Sequence, residues 1–164
     1  MSETEIRAFL KEEYPRVVAA IALVGGSRVA AEDAVQEALA RAWERTERGE
    51  SIETLAAWVT TVAMNLSRSR WRRAMAERRA WARLAAVRSD ERPAEDVVDL
   101  ERALRGLSRR QREVVVLRYY LGEDVAGMAR ILRVSEGTVK TTLHRARKAL
   151  AEALNDREDD RVGA

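Results

Sequence analysis

Apolar residues in this chain fall three and four positions apart in one segment after another, and that spacing constrains the fold more than any other feature. In EIRAFLKEEYPRVVAAIALV the series is Ile6, Phe9, Leu10, Tyr14, Val17, Val18, Ile21 and Val24. In AAEDAVQEALARAWER it is Val35, Leu39, Ala42 and Trp43, and in ETLAAWVTTVAMNL it is Leu55, Trp58, Val59, Val62 and Leu66. Such a series lines one face of an α-helix. No stretch alternates apolar and polar residues as a half-buried strand does, and no internal repeat is present. The spacing predicts an all-α chain. Pro15 is expected to kink or split the first segment, because it removes a backbone donor. Gly25 and Gly26 end that segment, glycine being the usual residue just past a helix.

Composition narrows the function classes. The chain has no cysteine, which excludes disulfides and thiolate metal sites. With His144 as the single histidine, no metal cage and no cofactor are expected. No apolar run approaches the roughly 18–20 residues of a membrane span. The opening MSETEIRAFLKEEYPR is charged, unlike a secretory signal. A cytoplasmic protein without membrane insertion is expected. The net charge of +3 says little about partners, but the cations are nearly all arginine; only Lys11, Lys140 and Lys148 are lysines. Arginine suits planar, two-pronged contacts to phosphate or carboxylate.

Charge also divides the chain. Residues 68–88 hold eight arginines against one acid, Glu77, and SDERPAEDVVD from Ser89 to Asp99 is acidic and contains Pro93. We read two small helical domains, 1–88 and 99–155, joined by a flexible acidic linker at 89–98, with a polar tail at 156–164.

The second domain carries the first functional constellation. Asp124 is placed to cap a short helix starting at Val125, and Ser135 to cap a longer one. Ala129 is small enough for a close crossing. Val139, Leu143, Ala146 and Leu150 follow at i, i+4, i+7 and i+11, a buried stripe. Glu136, Lys140, Thr141, His144, Arg145, Arg147 and Lys148 point outward. A charge run by itself fits a solvated helix of a bundle. The short turn and the mixed Thr/His/Arg face favour a helix-turn-helix whose second helix enters the major groove. Arginine can donate two bonds to guanine, and a threonine methyl can meet that of thymine.

The sequence LSRRQREVVVLRYYLGEDVAGMARILRVSEGTVKTTLHRARKAL resembles region 4 of the extracytoplasmic-function sigma factors of bacterial RNA polymerase. RQREVVVLRYY, VSEGTVK and LHRARKAL carry the likeness. The resemblance implies that this unit reads the −35 promoter element. Lys140, Thr141, His144 and Arg145 would face bases, with Glu136 and Thr138 on the same surface. Arg147 and Lys148 would hold phosphates, and Arg109 and Arg112 could add backbone contacts. Two residues depart from the pattern. Arg133 stands where the family has glycine in the turn, and a left-handed non-glycine residue costs about 1 kcal/mol. Gly127 sits inside a helix at a similar expected cost.

AEDAVQEALARAW resembles region 2.2 of the same family, with Asp33, Gln36 and Glu37 on one helical face. Val35, Leu39 and Trp43 are read as pointing elsewhere. By the resemblance, Asp33, Gln36, Glu37 and Arg41 would dock on the clamp helices of the polymerase largest subunit. Region 4 would meet the flap of the second-largest subunit. Taken alone, this face is only a solvated surface whose Glu37–Arg41 pair is worth about 0.3–0.5 kcal/mol. AAWVTTVAMNLSRSRWRR resembles regions 2.3 and 2.4, which handle the −10 element. Asn65 would contact the −10 strand, with Arg68, Arg72 and Arg73, and Arg70 beside them, near its backbone. The loop from about Glu47 to Glu53 would sit where the family captures a flipped base. Trp71 is read as packing rather than stacking on a base, and Ser69 stands where the family has Asp or Asn.

The whole reads as a minimal sigma factor that lends core polymerase its promoter choice and is not an enzyme. Promoter DNA and core polymerase are the partners implied, together with an anti-sigma protein; no small-molecule substrate is expected. The alternative is a stand-alone helix-turn-helix regulator, which would bind duplex DNA tightly without polymerase. A structural bundle with no DNA role would make its basic face silent to substitution.

Overall fold

The computed structural model describes residues 3–84 and 99–162. Among them there are eight α-helices, one π-helical segment and no strand. The helices are α1 (Glu3–Glu12), α2 (Tyr14–Gly25), α3 (Arg28–Glu47), α4 (Leu55–Leu84), α5 (Asp99–Gly106), α6 (Arg109–Val115), α7 (Val125–Leu132) and α8 (Glu136–Val162). The π segment, Val116–Tyr120, continues α6.

Pro15 splits the first amphipathic stretch as expected. It sits in the first turn of α2, where its missing N–H would have had no helical partner. Gly26 closes α2 with φ 79°, its N–H donating to the Ala22 carbonyl at 2.7 Å. Ser27 then caps α3 by accepting from the Ala30 amide at 3.2 Å.

In the first domain α3 lies along α4, and α2 packs on both. Its core is Val17, Val18, Ile21 and Val24 from α2, Ala31, Ala34, Val35, Ala38 and Ala42 from α3, and Val59, Ala63 and Met64 from α4. The sequence expectation for α3 needs one correction. Trp43 is not on the buried face; it is 48% exposed. Alanines make the contact instead, since small side chains let the helices come close. The α4 stripe is also shifted. Thr60, Ala63 and Met64 join Val59 inside, while Leu55, Trp58, Val62 and Leu66 are half-buried against the core.

In the second domain α6 opens with a capping box. Ser108 Oγ accepts from the Gln111 amide, and Gln111 Oε1 accepts from the Ser108 amide at 2.9 Å. Helices α5, α6 and α7 pack on α8. The two domains also pack on each other. α4 meets α7, α2 meets α6 and the π segment, and the buried residues of both domains form one continuous cluster. The acidic linker at 89–98 lies outside the described residues. α8 runs to Val162, into the segment read as a polar tail. No helix among the described residues is long and apolar enough to cross a membrane.

Candidate promoter-binding and polymerase-binding surfaces

The predicted helix-turn-helix is built by two caps and a tight turn. Asp124 Oδ1 accepts from the Gly127 amide at 2.6 Å and starts α7. A Cβ at Gly127 would meet the Glu123 carboxylate, the end of a flexible side chain that can move aside, so the glycine keeps its helix-propensity cost. Arg133 has φ 53° and ψ 52°, and is the one non-glycine residue with positive φ among the described residues. The Val134 amide donates back to the Ala129 carbonyl at 3.1 Å, closing the helix end. Ser135 Oγ then accepts from the Thr138 amide at 3.1 Å and lies 2.9 Å from the Thr138 hydroxyl, starting α8.

α8 has the two faces its sequence implied. Val139, Leu143 and Ala146 are buried, and Leu150 is half-buried. Glu136, Thr138, Lys140, Thr141, His144, Arg145, Arg147 and Lys148 are all exposed. Lys140 and Lys148 lie 3.9 Å from Glu136 and Glu152, loose pairs that leave their ammonium groups in water. Arg147 is more engaged. Its Nε donates to the Tyr119 hydroxyl at 2.6 Å, and its guanidinium lies 5.8 Å from the Tyr119 ring centroid. Sequence reasoning missed Tyr119, which is 59% exposed at the edge of this surface.

On α3, Asp33, Gln36 and Arg41 are exposed and Glu37 is partly so. Glu37 accepts from Arg41 at 2.6 Å, the expected i, i+4 pair, and from Arg70 of α4 at 2.6 Å. Trp43 extends this face. It lies seven residues beyond Gln36, about two helical turns, and so projects on the same side. That spacing was available in the sequence; its apolar character drew it to the wrong face.

The α4 group divides. Arg72 and Arg73 are exposed. Asn65 is half-buried, and its amide donates to the Thr61 carbonyl at 2.8 Å. Arg68 is 20% exposed and grips Glu113 of α6 with two bonds, 3.2 and 2.9 Å. Glu113 is 1% exposed and also accepts from Arg110 at 3.0 Å. Arg109 and Arg112, expected to extend the DNA contacts, lie in the seam between domains instead. Arg109 donates to Ser67 Oγ at 3.0 Å and sits 5.3 Å from the Trp71 ring centroid. Arg112 donates to the Val24 carbonyl at 3.0 Å. Burial pulls both guanidinium pKa values below the usual arginine range; Glu113 offsets part of this for Arg109, and Arg105 adds to it for Arg112. Trp71, expected to pack, is instead 41% exposed, with the Arg109 guanidinium over its ring. The loop before α4 borders a groove of about 640 Å³ that Arg130, Ile131 and Arg133 line from the other domain. Among the described residues no group of His, Cys, Asp or Glu could hold a metal ion.

Residues 9–77 match the family profile for sigma-70 region 2, and residues 98–150 match that for sigma-70 region 4. SigL of Mycobacterium tuberculosis, an ECF RNA polymerase sigma factor, is 34% identical, with 94% of this chain and 92% of SigL covered. The chain belongs to the extracytoplasmic-function sigma factors. RNA polymerase sigma-E factor of Streptomyces coelicolor is 35% identical over 80% of this chain and 76% of its own length. SigW of Bacillus subtilis is 30% identical over 77% and 76%. The sigma factor RpoE of Bartonella quintana, solved with the anti-sigma factor NepR, matches with a TM-score of 0.69 at 25% identity, covering 94% of this chain and 98% of that one. A sigma factor with regions 2 and 4 in order binds core RNA polymerase and directs promoter-specific initiation. The stand-alone regulator loses ground, because it gives region 2 no role.

Proposed function

We propose that α8 reads the −35 element from the major groove, with Lys140, Thr141, His144 and Arg145 at base edges. Arg147 and Lys148 hold phosphates; Glu136 and Thr138 border the same surface. Asn65, Arg68, Arg72 and Arg73 handle the −10 strand. Asp33, Gln36, Glu37 and Arg41, with Trp43 beside them, dock on the clamp helices, and region 4 meets the flap. The observation that carries this reading is α8 itself: an apolar stripe holds it down, and every candidate DNA-contacting residue on it is exposed. Exposed cations that neutralise phosphates give affinity, and the mixed face gives sequence choice.

The domain division at 1–88, 89–98 and 99–155 follows from this assignment. Each domain offers few base contacts, so promoter affinity rises when one polymerase holds both. The chain has no catalytic activity of its own and works in the cytoplasm, where the polymerase performs the chemistry. An anti-sigma protein restrains it, a partner of the kind the Bartonella relative carries. The test is reconstitution with core polymerase on a pool of promoter fragments. Initiation confined to fragments sharing −35 and −10 sequences supports the reading. Tight promoter binding by the free chain, with no initiation on any fragment, would sink it.

A further inference from the structure

Among the described cations of α8, Arg147 is held in a way the others are not. Lys140 and Lys148 sit near carboxylates, Glu136 and Glu152, at 3.9 Å. Arg145, two residues before Arg147, is exposed and makes no hydrogen bond or ion pair among the described residues. Arg147 is held by a neutral group. Its Nε donates to the Tyr119 hydroxyl at 2.6 Å, and its guanidinium lies 5.8 Å from the ring centroid, within cation–π range. No carboxylate among the described residues pairs with it. The guanidinium is therefore oriented without being neutralised. Its two terminal nitrogens and its charge stay available to an anion.

Tyr119 reaches this position through the π segment. The Leu121 amide donates to the Val116 carbonyl, five residues back, at 3.1 Å. Val115 and Val116 are buried, and an unbroken α-helix would carry Tyr119, four and three residues on, over the same face. The wider turn breaks that register, and Tyr119 comes out 59% exposed. Single π turns inside α-helices are frequent at functional sites. We infer that Tyr119 is a positioning residue of the −35 surface, whose hydroxyl presets Arg147 for a backbone phosphate. A long side chain loses rotamer freedom when it binds, and here part of that ordering precedes the DNA. A neutral phenol suits the task, because a carboxylate in its place would compete with the phosphate for the guanidinium. The effect falls on affinity rather than on sequence choice, since a phosphate carries no base identity. The inference rests on the assignment of Arg147 to a phosphate.

The test is a double-mutant cycle, read as competition binding of −35 variants by the full chain with core polymerase. Tyr119→Phe keeps the ring and removes the hydroxyl. It should weaken binding to every −35 sequence about three- to tenfold, the range of one hydrogen bond. Its salt slope should stay near that of wild type, because Arg147 still reaches its phosphate. In an Arg147→Ala chain, whose salt slope is already lower by about 1, the same change should do nothing further. Tyr119→Glu holds Arg147 but neutralises it, so binding should weaken most at low salt and the slope should fall by about 1. Tyr119 is exposed, so both variants should melt with wild type. Wild-type binding by Tyr119→Phe or Tyr119→Glu, or an equal Tyr119→Phe loss in the Arg147→Ala chain, overturns the positioning role. A loss confined to polymerase association overturns it too, and places Tyr119 on the polymerase. Arg147→Ala binding like wild type at every salt concentration overturns the phosphate assignment itself. A normal Arg147→Ala loss with a silent Tyr119→Phe overturns the positioning role alone.

Discussion

α8 and α4 carry the same kind of chemistry in opposite settings. Each places arginines and a smaller polar group on one side of a helix that is buried on the other. On α8 the polar side meets water from Glu136 to Lys148. On α4 its middle is covered: Asn65 is half-buried and Arg68 is paired with Glu113 from the other domain, while Arg72 and Arg73 beyond them are exposed. Residue type and spacing therefore identify a candidate contact, but packing against the neighbouring domain decides how far that side chain is exposed.

The largest expected effect tests the underside of α8. Leu143→Ala should cost about 2–5 kcal/mol in urea unfolding, through lost burial and a cavity. Arg145→Ala, two residues on and exposed, should change stability by about 0.5 kcal/mol or less. Equal losses would mean that the outer face of α8 is structural, and the contrast with α4 would collapse.

In binding the ranking reverses. With polymerase present, Arg145→Ala should weaken binding by about 1–3 kcal/mol on the best −35 sequence and relax choice there. Arg147→Ala should act on all sequences alike and lower the salt slope by about 1, as expected for one lost phosphate contact. Competition titrations across −35 variants and salt concentrations separate the two. Identical behaviour would erase the division between base and phosphate contacts, and would point to the Tyr119 contact as the main role of Arg147.

Asp33→Ala with Glu37→Ala probes the third surface. Polymerase association should weaken while the melting transition stays near normal, because the Glu37 pairs with Arg41 and Arg70 are partly exposed and worth at most about 1 kcal/mol together. Association equal to wild type, measured by polarisation against labelled core polymerase, would remove this face from the interface.

These contrasts explain what was legible in the sequence. Helix positions, the Pro15 split, the Asp124 and Ser135 caps and the α8 stripe follow from local rules, in which each residue acts on neighbours within a turn or two. Arg133 was legible in another way: the resemblance has glycine at that turn position, and Arg133 takes the left-handed φ of 53° there. The fate of Arg68, Arg109 and Arg112 was not legible. Each is paired with a residue more than 40 positions away or with a distant backbone carbonyl, and an arginine bound for DNA looks the same in sequence as one bound for a buried carboxylate. Trp43 misled for a simpler reason. A large apolar residue one step from a buried alanine is assigned inward by periodicity, although Ala42 takes the buried position and Trp43 turns outward.

The smallest effect reports on the covered side through pH. Glu123 stands at the start of α7 and lines the groove shared with α4. Burial, and then the neighbouring Asp124 carboxylate, raise its pKa, with Arg130 and Arg16 opposing. A raised acid favours its protonated form in the folded chain. Its stabilising contribution is thus present below the ordinary glutamate pKa and is lost as pH rises through the raised value. Glu123→Gln carries no such titration. At neutral pH the variant should equal or exceed wild type by up to about 0.5 kcal/mol, and the difference should shrink or reverse in acid. Arg16 belongs to α2, so part of this balance exists only while the domains are together. Parallel stability curves for the two proteins across acid and neutral pH would show Glu123 to be as wet as an ordinary surface carboxylate, and the seam open on that side.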